Sequence, residues 1–312
     1  MKANPLASVL ALLAVLTLSV AVQAQNTRAY VAKSGDNANQ CSDTSPCQTV
    51  TKALSVVDPG GQVVIIESGD YDKFTISKSV TVAAAAGVNA AVVASGQTYA
   101  VHFIGTTAAD AVTLRNLEFK GVGDPTNLIG VLNSSAGTLN VDGCIFSGFD
   151  NALTMEQVAG SLIVHDSVFR NNLFGIGLLG PSGDGVLSAT IDHCKLEQNE
   201  TGVSVSSKVV AVIRDTIAAN NTSRGIQVRS TGTNQKAEAL VIDCQLSHNT
   251  VGLNASGTNG FAVVRLSRSA VTNNALIGIN VGTNGTVYSL KDNVIAGNVT
   301  DINGSLSPLQ TK

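Results

Sequence analysis

The chain has 312 residues, a formal net charge of −3 and 13% charged residues, so it offers no basic footprint for nucleic acid. It has no Trp and only 4% aromatic residues, and so few of the flat, polar-edged platforms on which sugar rings rest. No polybasic or amphipathic stretch marks a membrane-surface protein.

In chain order, Met1-Lys2 is followed by an apolar run from Leu6 to Val20 and then by Val22-Gln23-Ala24. That order reads as a secretory signal peptide over residues 1–24, cleaved after Ala24, because the apolar run is too short for a stable membrane span. The expected location is periplasmic or extracellular, with no membrane insertion. Residues 25–61 form an N-terminal loop and cap. Cys41 and Cys47 lie six positions apart, and in an exported protein a local disulfide is the natural reading, with free thiols as the alternative. Asp36, Asn37, Asn39 and Asp43 offer oxygens of the kind calcium takes. Their spacing matches no known calcium loop, and a solvated turn is the competing reading. Thr49–Val57 is a short amphipathic helix ended by Asp58-Pro59-Gly60-Gly61, placed to plug the first coil of a repetitive region.

That region spans residues 62–303. Val63–Glu67, Phe74–Ile76 and Val80–Val82 supply a first coil, residues 83–110 are Ala-rich and poorly periodic but are also expected to form coils, and Leu114–Phe119 rejoins the register. From Val141 on, short units recur, each beginning like Ile191-Asp192-His193-Cys194. An asparagine comes at a fixed offset from Asn172 through Asn199, Asn221, Asn249, Asn274 and Asn298, in steps of 22–28 residues. Each unit holds three short runs, for example Val186–Ile191, Cys194–Leu196 and Gly202–Val205. Within them apolar residues alternate with a period of two, which is a strand signal. Repeats in the twenties built from strands mean a solenoid, here an all-β, three-sheet parallel β-helix with the asparagines as a hydrogen-bonded ladder at the second turn. Residues 304–312 are a short polar tail, a thin cap that leaves an end-on protein partner conceivable.

This repeat resembles the right-handed parallel β-helix of the pectate-lyase-like superfamily, and Thr190-Ile191-Asp192-His193 is similar to the Trp-Ile-Asp-His signature of pectate lyases, with Thr in place of Trp. The Asp-Asp and Gly-His-Gly elements of polygalacturonases are not present as such. The resemblance implies a polysaccharide partner lying along the first sheet beside the longer third turns, for which Gly180–Gly185 and Ser230–Ala237 are the candidates.

Aligning the units by column separates inside from outside. Leu117, Cys144, Ser167, Cys194, Thr216, Cys244, Ser269 and Asn293 share one column. Its cysteines are two coils apart, roughly 9.5 Å, beyond the reach of a disulfide, so they read as buried free thiols. With Leu114, Val141, Val164, Ile191, Ile213, Leu266 and Leu290 pointing inward, the next residues point outward. Arg115, Asp142, His165, Asp192 and Arg214 are then contiguous, with Ile242, Ser267 and Lys291 after them. A histidine between two carboxylates suits acid–base work, which makes His165, Asp142 and Asp192 the catalytic candidates. Arg115 and Arg214 suit the carboxylate of a uronate. The bland alternative is a ladder of weak surface pairs. A neighbouring column, Asp166, His193, Asp215, Asp243, Arg268 and Asp292, falls in the first turn, where solvated turn chemistry competes with divalent-cation binding.

These residues suit three functions: a secreted protein that binds extracellular or cell-surface polysaccharide, a lyase or hydrolase, or a non-catalytic adhesive rod. Calcium is the one cofactor suggested.

Overall fold

The computed structural model describes residues 26–308 apart from Gln97 and Thr106. The signal-peptide reading of residues 1–24 lies outside these, as do residues 309–312 of the expected tail. Strands from successive coils pair in parallel into three sheets, of 12, 10 and 10 strands among the described residues. One coil shows the pattern: Leu187–Asp192 in sheet 1, Lys195–Glu197 in sheet 2 and Thr201–Val205 in sheet 3. Leu187, Ala189 and Ile191 face the core, while Ser188 and Thr190 face out, as period-two alternation requires. Like residues sit above like. Phe119, Phe146 and Phe169 stack coil on coil, with ring centroids 4.5 and 4.6 Å apart.

Two left-handed residues per coil turn the chain. At the end of sheet 1, Asn116, Asp166, His193, Asp215, Asp243 and Arg268 have φ between 45° and 54°. After sheet 2, Asn171, Gln198, Asn220, His248 and Asn273 have φ between 55° and 58°. Asn and Asp tolerate this conformation best among side chains with a Cβ, which explains their abundance. Each repeat asparagine immediately follows a second-turn residue. Its Nδ2 donates to the Oδ1 of the next coil's asparagine, at 2.8–3.2 Å from Asn172 through to Asn298. That same Oδ1 accepts the donor's backbone N–H as well.

At the N-terminal end the helix is Val50–Val56, with Thr49 as its N-cap accepting from the Lys52 N–H. Its Val50, Ala53 and Leu54 are buried. Cys41 and Cys47 form the disulfide, Cα–Cα 4.6 Å. The loop's oxygens serve its own backbone: Asn37 Oδ1 accepts from the Gln48 and Thr49 N–H groups, and Asp36 and Asp43 accept from Ala38 and Thr44. These hydrogen bonds lock the turn.

Sheet 1 runs beyond the expected bounds of the repetitive region at both ends. Arg28–Val31 pairs with Gln62–Ile65 and Leu306–Pro308 pairs with Val287–Ser289, so sheet 1 begins before residue 62 and continues past residue 303. In the Ala-rich stretch, Ala90–Ser95 and Tyr99–Phe103 are full strands. Leu266 pairs with Ser289, not Leu290. The last coil has one more residue before its turn, which moves Leu290 out of the inward column and Lys291 out of the outward row.

Cys144, Cys194 and Cys244 are buried and unpaired. The backbone N–H of each donates to the hydroxyl of Ser167, Thr216 or Ser269 in the next coil, at 3.1–3.2 Å. Burial pushes all three thiols up to about 12. A raised thiol stays neutral through pH 7–9, and only the thiolate is nucleophilic. At pH 8 without reductant, iodoacetamide is therefore expected to leave the folded protein unmodified and to add three groups in guanidinium, read by intact mass. Fast native labelling would mean that the coils open.

Candidate functional site

Sheet 1 carries the outward row as the alternation requires. Register pairs Arg115 with Asp142, Asp142 with His165, His165 with Asp192 and Asp192 with Arg214. All five predicted site residues therefore stand side by side, each at the last position of its strand. Arg115 Nε donates to Asp142 Oδ2 at 2.8 Å, and an Arg214 terminal nitrogen donates to Asp192 Oδ2 at 2.6 Å. His165 lies between the two carboxylates, with Nδ1 3.8 Å from Asp142 and Nε2 3.7 Å from Asp192.

Two residues assigned to the turn column join this row. His165 Nδ1 is 3.0 Å from Asp166 Oδ2, and His193 Nδ1 is 2.8 Å from Asp192 Oδ1. Both belong to the left-handed first-turn positions, which fold the turn residue back beside its strand-end neighbour. Asp192 thus becomes a hub, and its side chain is only 7% exposed although it sits on the outer face. Burial raises its carboxyl, but hydrogen bonds from Arg214 and His193 outweigh that and hold it below its ordinary value. Further along the turn column, Arg268 makes a two-pronged pair with Asp243 at 2.8 and 2.9 Å. This pair is exposed and outside the row.

The row floors a shallow depression of about 480 Å³, together with Thr113, Asn140, Ile163 and Thr190 from two positions earlier on the same strands. Ile163, 42% exposed, supplies an apolar patch beside the charges. The third-turn segments 180–185 and 230–237 do not line it. They precede the sheet-1 strands, whereas the row ends them, so a six-residue strand of about 17 Å separates the two. The expected bordering walls are absent, and the depression stays open. A larger depression of about 620 Å³ lies over the second turns, but its ionisable liners are only Asp150 and Glu200. Convergent groups of both signs, the usual mark of a ligand site, are found over sheet 1.

Residues 99–265, more than half the chain, match the model for a right handed beta helix region. The chain belongs to the right-handed β-helix family. No curated protein sequence matches this β-helix protein. Among solved structures it is similar to the alginate lyase from Paenibacillus sp. str. FPU-7, with TM-score 0.55 and 14% identity over 89% of this chain and all of that one (100%). It is also similar to pectate lyase Pel9A, with TM-score 0.53 and 16% identity over 90% of this chain and 77% of that one. A GH136 lacto-N-biosidase from Eubacterium ramulus gives TM-score 0.51 and 11% identity, over 91% and 67%. At such identities the likeness is one of fold, because function resides in sites grafted on folds.

Proposed function

We propose that this β-helix protein is exported and binds uronate-containing polysaccharide along sheet 1. The observation that carries the reading is the placement of two guanidiniums at the ends of the row. Arg115 and Arg214 are 50% and 51% exposed, and each is anchored by one carboxylate while its remaining N–H groups face solvent. Four coil steps separate them, about 19 Å, a span suited to an oligosaccharide. Guanidinium forks grip carboxylates in two-pronged pairs, and Ile163 offers an apolar surface to a ring face. The similar folds of a pectate lyase and an alginate lyase support the same substrate class. Export is supported by the Cys41–Cys47 disulfide, which persists in oxidising compartments, and no described helix is long and apolar enough to cross a membrane.

The row's polar groups pair chiefly with each other and the depression has low walls, which favours binding without bond cleavage. One observation favours a lyase as the second reading: His165 reaches Asp166 and lies near Asp142 and Asp192, which is acid–base geometry.

The test is a glycan array and a uronate-lyase assay on purified protein, with and without calcium. Saturable binding to polyuronates is expected, falling at least tenfold when Arg115 and Arg214 are both replaced by Ala, since charge-assisted hydrogen bonds contribute about 1.5–3 kcal/mol each. Unsaturated product that disappears in the Asp142/His165/Asp192 triple alanine variant would establish the lyase. Binding that survives intact in the double arginine variant would remove the row from the function.

A further inference from the structure

Polysaccharide binding along the row uses Arg115, Asp142 and Arg214 but gives His193 no part. We propose that His165, Asp192 and His193 together form a site for one transition-metal cation of the zinc class. Each offers one ligand atom, and the three atoms lie within 4.8 Å of one another. His193 Nδ1 is 2.8 Å from Asp192 Oδ1, the oxygen offered to the ion, and His165 Nε2 is 3.7 Å from the other oxygen, Oδ2. A tetrahedral zinc with donors about 2.0–2.1 Å away spaces them roughly 3.3 Å apart, so His193 Nδ1 moves slightly away from Oδ1 and His165 Nε2 moves in toward it. Both imidazoles are about half exposed, so small rotations of these rings bring the donors onto one ion.

The surroundings orient each ligand. His165 Nδ1 faces Asp166 at 3.0 Å and Asp142 at 3.8 Å, so its N–H donates there and Nε2 keeps its lone pair toward Asp192. A carboxylate behind a ligating imidazole is the usual outer-shell partner of a metal-bound histidine. Arg214 holds Asp192 Oδ2 at 2.6 Å and leaves Oδ1 facing His193 Nδ1, which donates to it in the metal-free protein and in its other tautomer turns a lone pair to the ion. Three protein ligands with a solvent-facing fourth position is the open arrangement typical of non-structural zinc.

The donor set also selects the ion. Two imidazoles and one carboxylate suit zinc, nickel or copper, whereas calcium takes six to eight oxygens. Asp142, His165 and Asp166 form a second cluster, but it shares the His165 ring through the Nδ1 face that serves as the hydrogen-bond donor here.

This proposal goes beyond polysaccharide binding and does not depend on it. The test uses tag-free, chelator-stripped protein, with zinc chloride and calcium chloride titrated separately by calorimetry and equilibrium dialysis, with no saccharide present. One zinc per chain is expected, with no saturable calcium at this site. His193→Ala should weaken zinc at least tenfold, and Asp166→Asn about tenfold, as outer-shell changes do. His248→Ala, a second-turn histidine, should leave the affinity unchanged, and far-UV circular dichroism should confirm that all variants are folded. No saturable zinc uptake, or a His193→Ala variant with full affinity, would overturn the site. Uronate binding by the His193→Ala variant, measured without metal, then reports on polysaccharide binding alone.

Discussion

Asn221→Ala is expected to destabilise the solenoid by about 1–3 kcal/mol, the cost of a buried polar group left without a partner. The Asn221 Oδ1 accepts from Asn199 N and Nδ2 at 3.0 and 3.2 Å, and its Nδ2 donates to Leu196 O at 3.0 Å and Asn249 Oδ1 at 2.9 Å. All of this lies in a buried column, where water cannot readily substitute. Alanine orphans the Asn199 N–H, whereas the Leu196 carbonyl lies within the paired strand Lys195–Glu197 and loses only its second donor. Asn221→Asp separates the two halves of the effect. It keeps the acceptor but turns a carboxylate toward Leu196 O and Asn249 Oδ1, so its loss should be at least as large. Denaturant unfolding followed by circular dichroism reads both. A shift under about 1 kcal/mol for Asn221→Ala would mean that solvent enters the turn and replaces the amide.

Phe146→Ala is expected to cost about 3–5 kcal/mol. The ring is fully buried and sits between Phe119 and Phe169, stacked on both faces. In a parallel solenoid the neighbouring coils are fixed by their own backbone ladders, so they do not collapse into the space a ring leaves. The cavity term therefore adds to the lost transfer energy. Phe146→Leu, which refills much of the volume, should recover more than half of the loss. Equal destabilisation by the two variants would show that ring stacking and not volume holds these coils together. Because each coil contacts mainly its neighbours, hydrogen exchange should show the loss concentrated between residues 117 and 170.

Both variants concern columns that could be read along the chain, and so does most of the proposed site. The row Arg115, Asp142, His165, Asp192 and Arg214 was legible because strand alternation is a local property, and because coils of similar pattern stack in register. Asp166 and His193 were not legible as partners of that row. They come directly after its members in sequence, and period-two logic places such residues on another side. Their left-handed backbone brings them back, and turn geometry of that kind leaves only a faint trace, the run of Asp, Asn and His at first-turn positions. The Ala-rich coils at Ala90–Ser95 and Tyr99–Phe103 were faint for a different reason: alanine carries little strand preference of its own, and their pairing with neighbours on both sides supplies what the residues lack. Leu290 was misplaced because one extra residue before the turn shifts a strand with period two onto its other face.

The all-β solenoid, the buried asparagine and cysteine columns and the order of charges along sheet 1 are all written in the chain, because they arise from periodicity and from side-chain chemistry repeated at a fixed offset. It took the folded coils to show that the segments 180–185 and 230–237 stand a strand length away from the charges, leaving an open depression, and that Asp192 is covered on the outer face. The same holds for the convergence of two histidines on one carboxylate. Such facts depend on distances between coils and on the direction in which a turn returns a side chain, and no one-dimensional pattern carries either.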